Sequence, residues 1–176
     1  MIFNLHRPEE VDSVKLSIEA ERAKGKTIGV TSGCFDLFHF LHVIYFERCR
    51  RYCDILIVGL DSDELVRGIK GEGRPIFSDA RRSHIVDALK AVNYVCVMNT
   101  VEDLRKISKI FEPDYMFKND AFIGMDRKDI IGAEYCKELI MLFDLVEHPS
   151  TTSIIDQITT QRLQKKLPEK SDVALS

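Results

Sequence analysis

The chain has no surplus of basic residues: 25 Lys and Arg stand against 28 Asp and Glu, a formal net charge of −3. A general nucleic-acid binder shows a basic excess, so that class loses support, while a small anionic ligand needs only a few local cations. Long apolar runs are missing as well. The longest, Ile55 to Leu60, falls far short of the roughly 20 residues that cross a bilayer, so no membrane segment is expected. Met1 to Glu10 carries acids and no apolar core, and no signal peptide is expected there. The cysteines (Cys34, Cys49, Cys53, Cys96 and Cys136) are odd in number, scattered, and form no CxxC pair. A zinc framework is therefore not expected. Cys49 and Cys53, at helical spacing, read as core thiols, and the chain reads as cytoplasmic and reduced.

What is present is a globular composition. The 176 residues are 45% apolar and 30% charged, enough for one domain that buries about two thirds of its unfolded surface. With no repeat, linker or second domain in view, residues 1–167 are expected to form a single domain, and 168–176 a polar, frayed tail.

Strand and helix signals alternate along it. Val11, Val14 and Ile18 among charges predict an amphipathic helix over 11–24. TIGVT (27–31) reads as a short buried strand, and a helix fills the interval carrying Leu41, Ile44, Tyr45, Arg48, Cys49 and Tyr52 on one face. ILIVGL (55–60) is the clearest strand, apolar without interruption. A short helix over 61–68 follows, capped by Asp61 or Ser62, and Gly71 to Pro75 form a flexible loop. Helix 79–90, strand 94–98, helix 101–111 and strand 114–117 come next, then helix 131–138, strand 140–146 and helix 151–166. Such alternation implies right-handed crossovers and a parallel sheet covered on both faces. Ligands of such sheets sit beyond the carboxyl ends of the strands.

Four segments are candidates. His39 and His42, three apart at a helix entrance, can face a phosphate held by the helix N-terminus. Alone they read first as half-buried histidines near a cap, and as a metal pair they lack a third ligand. Lys70 and Arg74 on the Gly-rich loop can fold over phosphates, or be an ordinary solvated turn. Lys118 ends a strand where the sheet rule places ligands; its plain alternative is a surface lysine. Ser150, Thr151 and Thr152 enter a helix and can hold phosphates or simply cap it. Arg82 alone reads as a solvated helix charge.

Taken together, Gly25-Lys26-Thr27-Ile28, then Thr31-Ser32-Gly33-Cys34-Phe35-Asp36-Leu37, His39 and His42 resemble the opening of cytidylyltransferase-like nucleotidyltransferases, whose hallmark is a GxFDxxHxGH segment. The resemblance continues through Ile57-Val58-Gly59, Ser62-Asp63, Lys70-Gly71, Arg74-Pro75-Ile76 and Arg82. It then runs through Ala88 to Val92, Pro113-Asp114, Lys118, Gly132-Ala133-Glu134 and Ser150-Thr151-Thr152, spanning about residues 24–160. Within the family the chain looks most like the adenylyltransferase domain of ADP-heptose synthase. The resemblance implies a Rossmann-like, doubly wound five-stranded parallel sheet of order 3-2-1-4-5, helices on both faces. It also implies transfer of a nucleotidyl group from NTP to a phosphorylated small molecule with release of pyrophosphate, in a cytoplasmic homodimer with Mg²⁺ brought by the nucleotide and no protein metal site. ATP and a sugar phosphate are the first expectation; CTP with a polyol or amino-alcohol phosphate is the alternative. The implied catalytic residues are His39, His42 and Lys118. Cys34, Phe35, Leu41, Ser150, Thr151 and Thr152 would join them around the nucleotide, and Lys70, Arg74 and Arg82 would close over the phosphates. Asp36 reads as a structural brace for the loop.

Three family glycines are replaced: by Leu41 between the histidines, by Asn119 after Lys118, and by His148 before Ser150-Thr151-Thr152. Asp120-Ala121-Phe122 also departs from the family pattern. Random decay is not expected to spare every polar group and remove only glycines, so an active enzyme with a reshaped pocket is expected. The alternative is a catalytically impaired nucleotide-binding scaffold or regulator.

Overall fold

ILIVGL lies at the centre of the structure because each of its residues is buried, which only a strand covered on both faces allows. The computed structural model describes residues 1–142 and 151–166, with the side chains of 151–153 and 163–166 left aside. The strands are β1 (Ile2–Phe3), β2 (Ile28–Gly33), β3 (Ile55–Asp61), β4 (Tyr94–Met98), β5 (Tyr115–Asn119) and β6 (Glu138–Leu142). The helices are α1 (Pro8–Arg22), α2 (Phe40–Cys49), α3 (Asp63–Lys70), α4 (Asp79–Asp87), α5 (Glu102–Phe111) and α6 (Thr151–Lys166).

The sheet is parallel throughout, with order β1-β4-β3-β2-β5-β6. This corrects the expected five strands and their 3-2-1-4-5 order. The addition is β1, a two-residue strand pairing Ile2 with Val95 and Phe3 with Cys96 at the sheet edge. The five expected strands keep their mutual succession inside the six.

Alternation along β3 sorts the two faces. Ile55 and Ile57 pack with Val11, Val14 and Ile18 of α1 and Leu104, Ile107 and Phe111 of α5. Leu56, Val58 and Leu60 pack with Phe46 and Cys49 of α2 and Val86 of α4. The helix expected over 131–138 is instead a single 3-10 turn, Ala133–Tyr135, entered through Gly132 at φ 83°. A left-handed residue there stops a helix from starting earlier. The chain divides into two compact units, Met1–Asp144 and Leu145–Ser176, and α6 belongs to the second.

Candidate active site

The segment joining β2 to α2 turns through two left-handed residues that are not glycine, Phe35 at φ 49° and Leu37 at φ 43°. Such conformations cost about 1 kcal/mol or more each and persist only where neighbours enforce them. Asp36, between them, is the enforcer. Its buried carboxylate accepts the N–H of Leu37 at 3.0 Å, of Ile76 at 2.9 Å and of Phe77 at 3.0 Å, and the Arg74 Nε at 2.8 Å. Burial opposes its ionisation, but the Ile76 and Phe77 N–H groups and the Arg74 guanidinium outweigh that and hold its pKa low. The brace role read from the sequence is thus the one the geometry supports.

The turn delivers His39 to the N-cap of α2 and His42 to its first turn. Their rings stack with centroids 4.0 Å apart, and the His39 backbone N–H donates to His42 Nδ1 at 3.3 Å. Phe35 and Phe38 pack on His42 at 5.5 and 5.1 Å between centroids. Burial, reinforced by His39 and Lys70, pushes the His42 pKa down to about 4. His42 is therefore neutral near pH 7, its Nδ1 is an acceptor, and Nε2 carries the proton.

A second group gathers where the strands end. Lys118, at the end of β5, is only 6% exposed, and its Nζ donates to Ser32 Oγ at 3.0 Å and lies 4.8 Å from the Phe122 ring centroid. Burial brings its pKa down to about 8, the Asp61 carboxylate partly opposing that fall. Asp61, the last residue of β3, is partly buried and has its own pKa raised by desolvation, against the pull of Arg82, Lys118 and Lys70. Ser32 lies in the stretch that carries the resemblance and Asp61 in no motif, and sequence reasoning gives neither a role at the site. One signal does point to them: both sit at the carboxyl ends of strands, where ligands of such sheets bind.

The basic loop joins these groups. Lys70 is exposed at the end of α3, and its charge acts on both His42 and Asp61. Arg74 is spent in part on Asp36, while its buried Nη2 has no hydrogen-bond partner among the described residues. Arg82 is turned inward instead. Only 1% exposed, it donates to the carbonyls of Phe77 at 2.8 Å and Cys34 at 2.5 Å and to Asp63 Oδ1 at 2.7 Å. Here Arg82 ties three segments together.

Cys34 and Phe35 are buried beside the turn, and burial raises the Cys34 thiol. Leu41 is half-buried in the first turn of α2. Asn119 has φ −85° and ψ −178°, extended backbone open to any residue, so replacing glycine there brings no strain. Ser150 and His148 lie outside the described residues. Thr151 and Thr152 open α6, but their side chains are outside the description too. Among the described residues no helix is long and apolar enough to cross a membrane, and no cluster of three or more His, Cys, Asp or Glu could hold a metal.

A histidine pair at a helix entrance and cations at the strand ends are arranged for a phosphorylated ligand. Comparison with known proteins agrees: residues 30–163 match the cytidylyltransferase-like family model. The chain belongs to the cytidylyltransferase-like family of nucleotidyltransferases. Among relatives, it is 38% identical over 152 residues to the bifunctional protein HldE of Syntrophotalea carbinolica, which covers 84% of this chain and 30% of the relative. HldE of Geobacter metallireducens is 39% identical over 152 residues, 85% of this chain and 30% of the relative. The chain thus spans about three tenths of these curated relatives. A lipopolysaccharide core biosynthesis protein from Thermoplasma volcanium superposes with TM-score 0.57 at 20% identity, covering 71% of this chain and all of that one. Pantoate-beta-alanine ligase from Francisella tularensis gives 0.58 at 10%, covering 97% and 82%. At such identities these two speak for the family's fold alone.

Proposed function

We propose that the chain transfers a nucleotidyl group, AMP in the first instance, from NTP to a phosphorylated sugar, releasing pyrophosphate. The observation that carries this reading is the stacked histidine pair at the N-terminus of α2, with His42 held neutral and its Nε2–H free to donate. The similarity to HldE, and the resemblance to the adenylyltransferase domain of ADP-heptose synthase, support adenylyl transfer to a sugar phosphate.

In this mechanism an oxygen of the acceptor's phosphate attacks the α-phosphorus in line, and the bond to pyrophosphate breaks. The protein contributes position and charge stabilisation and forms no covalent intermediate. His39 and His42 donate to the α-phosphoryl and bridging oxygens. Lys118 neutralises charge across the phosphates, and the loop carrying Lys70 and Arg74 closes over the acceptor or the triphosphate. Ser150, Thr151 and Thr152 take the β- and γ-phosphates. Mg²⁺ enters as part of the nucleotide substrate, held by phosphate oxygens and water. The same resemblance implies a cytoplasmic homodimer, which sedimentation of the purified chain checks.

The test is a pyrophosphate-release screen of four NTPs, with Mg²⁺, against sugar, polyol and amino-alcohol phosphates. Turnover of ATP with a sugar phosphate is expected. Leu41, between the two imidazoles, favours one other reading, an impaired scaffold. On that reading no pair turns over and Leu41→Gly restores triphosphate binding; on the enzyme reading Leu41→Gly changes the rate by no more than about threefold, under ~0.7 kcal/mol.

A further inference from the structure

Strand alternation places three side chains on one face at the carboxyl ends of the sheet. Asp61 continues the series Ile55 and Ile57, Lys118 follows Met116, and Ser32 follows Val30; all four apolar residues belong to the cluster against α1 and α5. The histidine pair rides instead on α2, which packs against the opposite face. Lys118 and Ser32 satisfy each other, with Nζ and Oγ 3.0 Å apart. Asp61 has no such arrangement. Among the described residues its carboxylate makes no hydrogen bond and no ion pair, although it is partly withdrawn from water. Its oxygens are not sealed from solvent, so an acceptor left without a protein partner in that position is open to an incoming donor.

The surrounding charge says which donor. Arg82, Lys118 and Lys70 all act on Asp61. Arg82 is already paired with Asp63. That leaves two ammonium groups to one carboxylate, a locally positive surface. It attracts a phosphate and resists a ligand carrying its own ammonium. The donors that suit Asp61 here are neutral hydroxyl groups.

We propose that Asp61 is the specificity-determining residue of the acceptor side, accepting hydrogen bonds from hydroxyls of a polyhydroxy phosphate whose phosphate lies toward Lys118. This rests on the transferase reading above and deepens it: the acceptor is a sugar or polyol phosphate, and amino-alcohol phosphates are disfavoured.

Calorimetric titration of the full chain, with Mg²⁺ and a non-hydrolysable ATP analogue present, tests it without turnover. The probes are a panel of hexose 1-phosphates and pentose 5-phosphates, glycerol 3-phosphate and phosphoethanolamine. At least one polyhydroxy phosphate is expected to bind about tenfold or more tightly than phosphoethanolamine. Asp61→Ala should erase that preference and leave the analogue's own Kd within about twofold. Asp61→Asn keeps the shape, removes a poorly solvated charge, and should unfold at or above the wild-type midpoint while losing at least about threefold in acceptor affinity. Equal affinity for phosphoethanolamine, no binding of any polyhydroxy phosphate, or unchanged acceptor affinity in both variants would overturn the proposal. So would an equal loss for the nucleotide analogue, which would assign Asp61 to the nucleotide. A wild type that binds selectively yet releases no pyrophosphate with any pair would sink the transfer reading alone.

Discussion

The backbone N–H of His39 donates to Nδ1 of His42, which sets the tautomer of a histidine whose pKa is near 4. The relationship is reciprocal in chain terms, since the His42 N–H donates to the His39 carbonyl at 3.0 Å. Local helix-capping geometry thereby orients the donor of the proposed reaction. His42 is poised to give a hydrogen bond at neutral pH without first taking up a proton.

Replacing that donor tests its role. His42→Ala is expected to slow pyrophosphate release by about 10²-fold or more, the scale of one lost transition-state donor. Because neutral His42 persists down to about pH 4, any break in the acidic limb near the ordinary histidine pKa should come from other groups and be the same in the wild type and in His42→Gln. A loss of activity centred near 6.5, present in the wild type and absent from His42→Gln, would show that His42 titrates normally and would remove this account.

Lys118 sets the other limb. Its charge is disfavoured by burial, with a pKa of about 8, so the ammonium is lost as pH rises through that value. Nucleotide affinity should fall above pH 8 for want of a cation at the phosphates. Lys118→Met should bind the nucleotide weakly at every pH and lose the dependence. Fluorescence titration of the nucleotide between pH 6 and 10 reads both outcomes, and a variant retaining the wild-type slope would place the titrating group elsewhere.

Asp36 connects the histidine turn to the basic loop through one carboxylate. Its folded pKa is lowered, so its contribution to stability is present above the unfolded carboxylate pKa and lost as pH falls through the folded value. Asp36→Asn should cost about 3 kcal/mol at pH 7, the scale of breaking a buried charge pair. The difference from wild type should shrink toward acid, and denaturant unfolding at pH 7 and pH 3 compares the two.

Much of this architecture is legible in the amino-acid sequence itself. ILIVGL declares a buried strand by unbroken apolar character, TIGVT reads as a short buried strand between its flanking breaks, and the Val11-Val14-Ile18 stripe declares α1. β1 does not, because two residues gain strand geometry only from the β4 edge they happen to meet. The turn at Ala133–Tyr135 imitates a helix because its composition is helical while Gly132 sits left-handed before it. At the site, the histidines and Lys118 stand out by motif. Asp61 carries no motif and acquires meaning only when the sheet order sets it near Lys118. Arg82 reads from the sequence as a cation near a phosphate loop, and only the structure shows that its partners are Cys34, Phe77 and Asp63.

Arg82 also allows the sharpest separation of brace from ligand. Its guanidinium reaches the Cys34 carbonyl before the histidine turn, the Phe77 carbonyl after the basic loop, and Asp63 at the start of α3. A planar fork serves three directions at once; a lysine ammonium at the same place has neither the reach nor the geometry. Arg82→Lys should therefore lower unfolding stability by about 3 kcal/mol, as expected when a buried, multiply bonded cation loses its partners. Nucleotide affinity of the fraction that remains folded should stay within about threefold of wild type, under ~0.7 kcal/mol. A brace predicts stability lost and binding kept. The reverse pattern, full stability with nucleotide binding weakened tenfold or more, would mean that the side chain swings out to the phosphates and that the inward position is only its resting state.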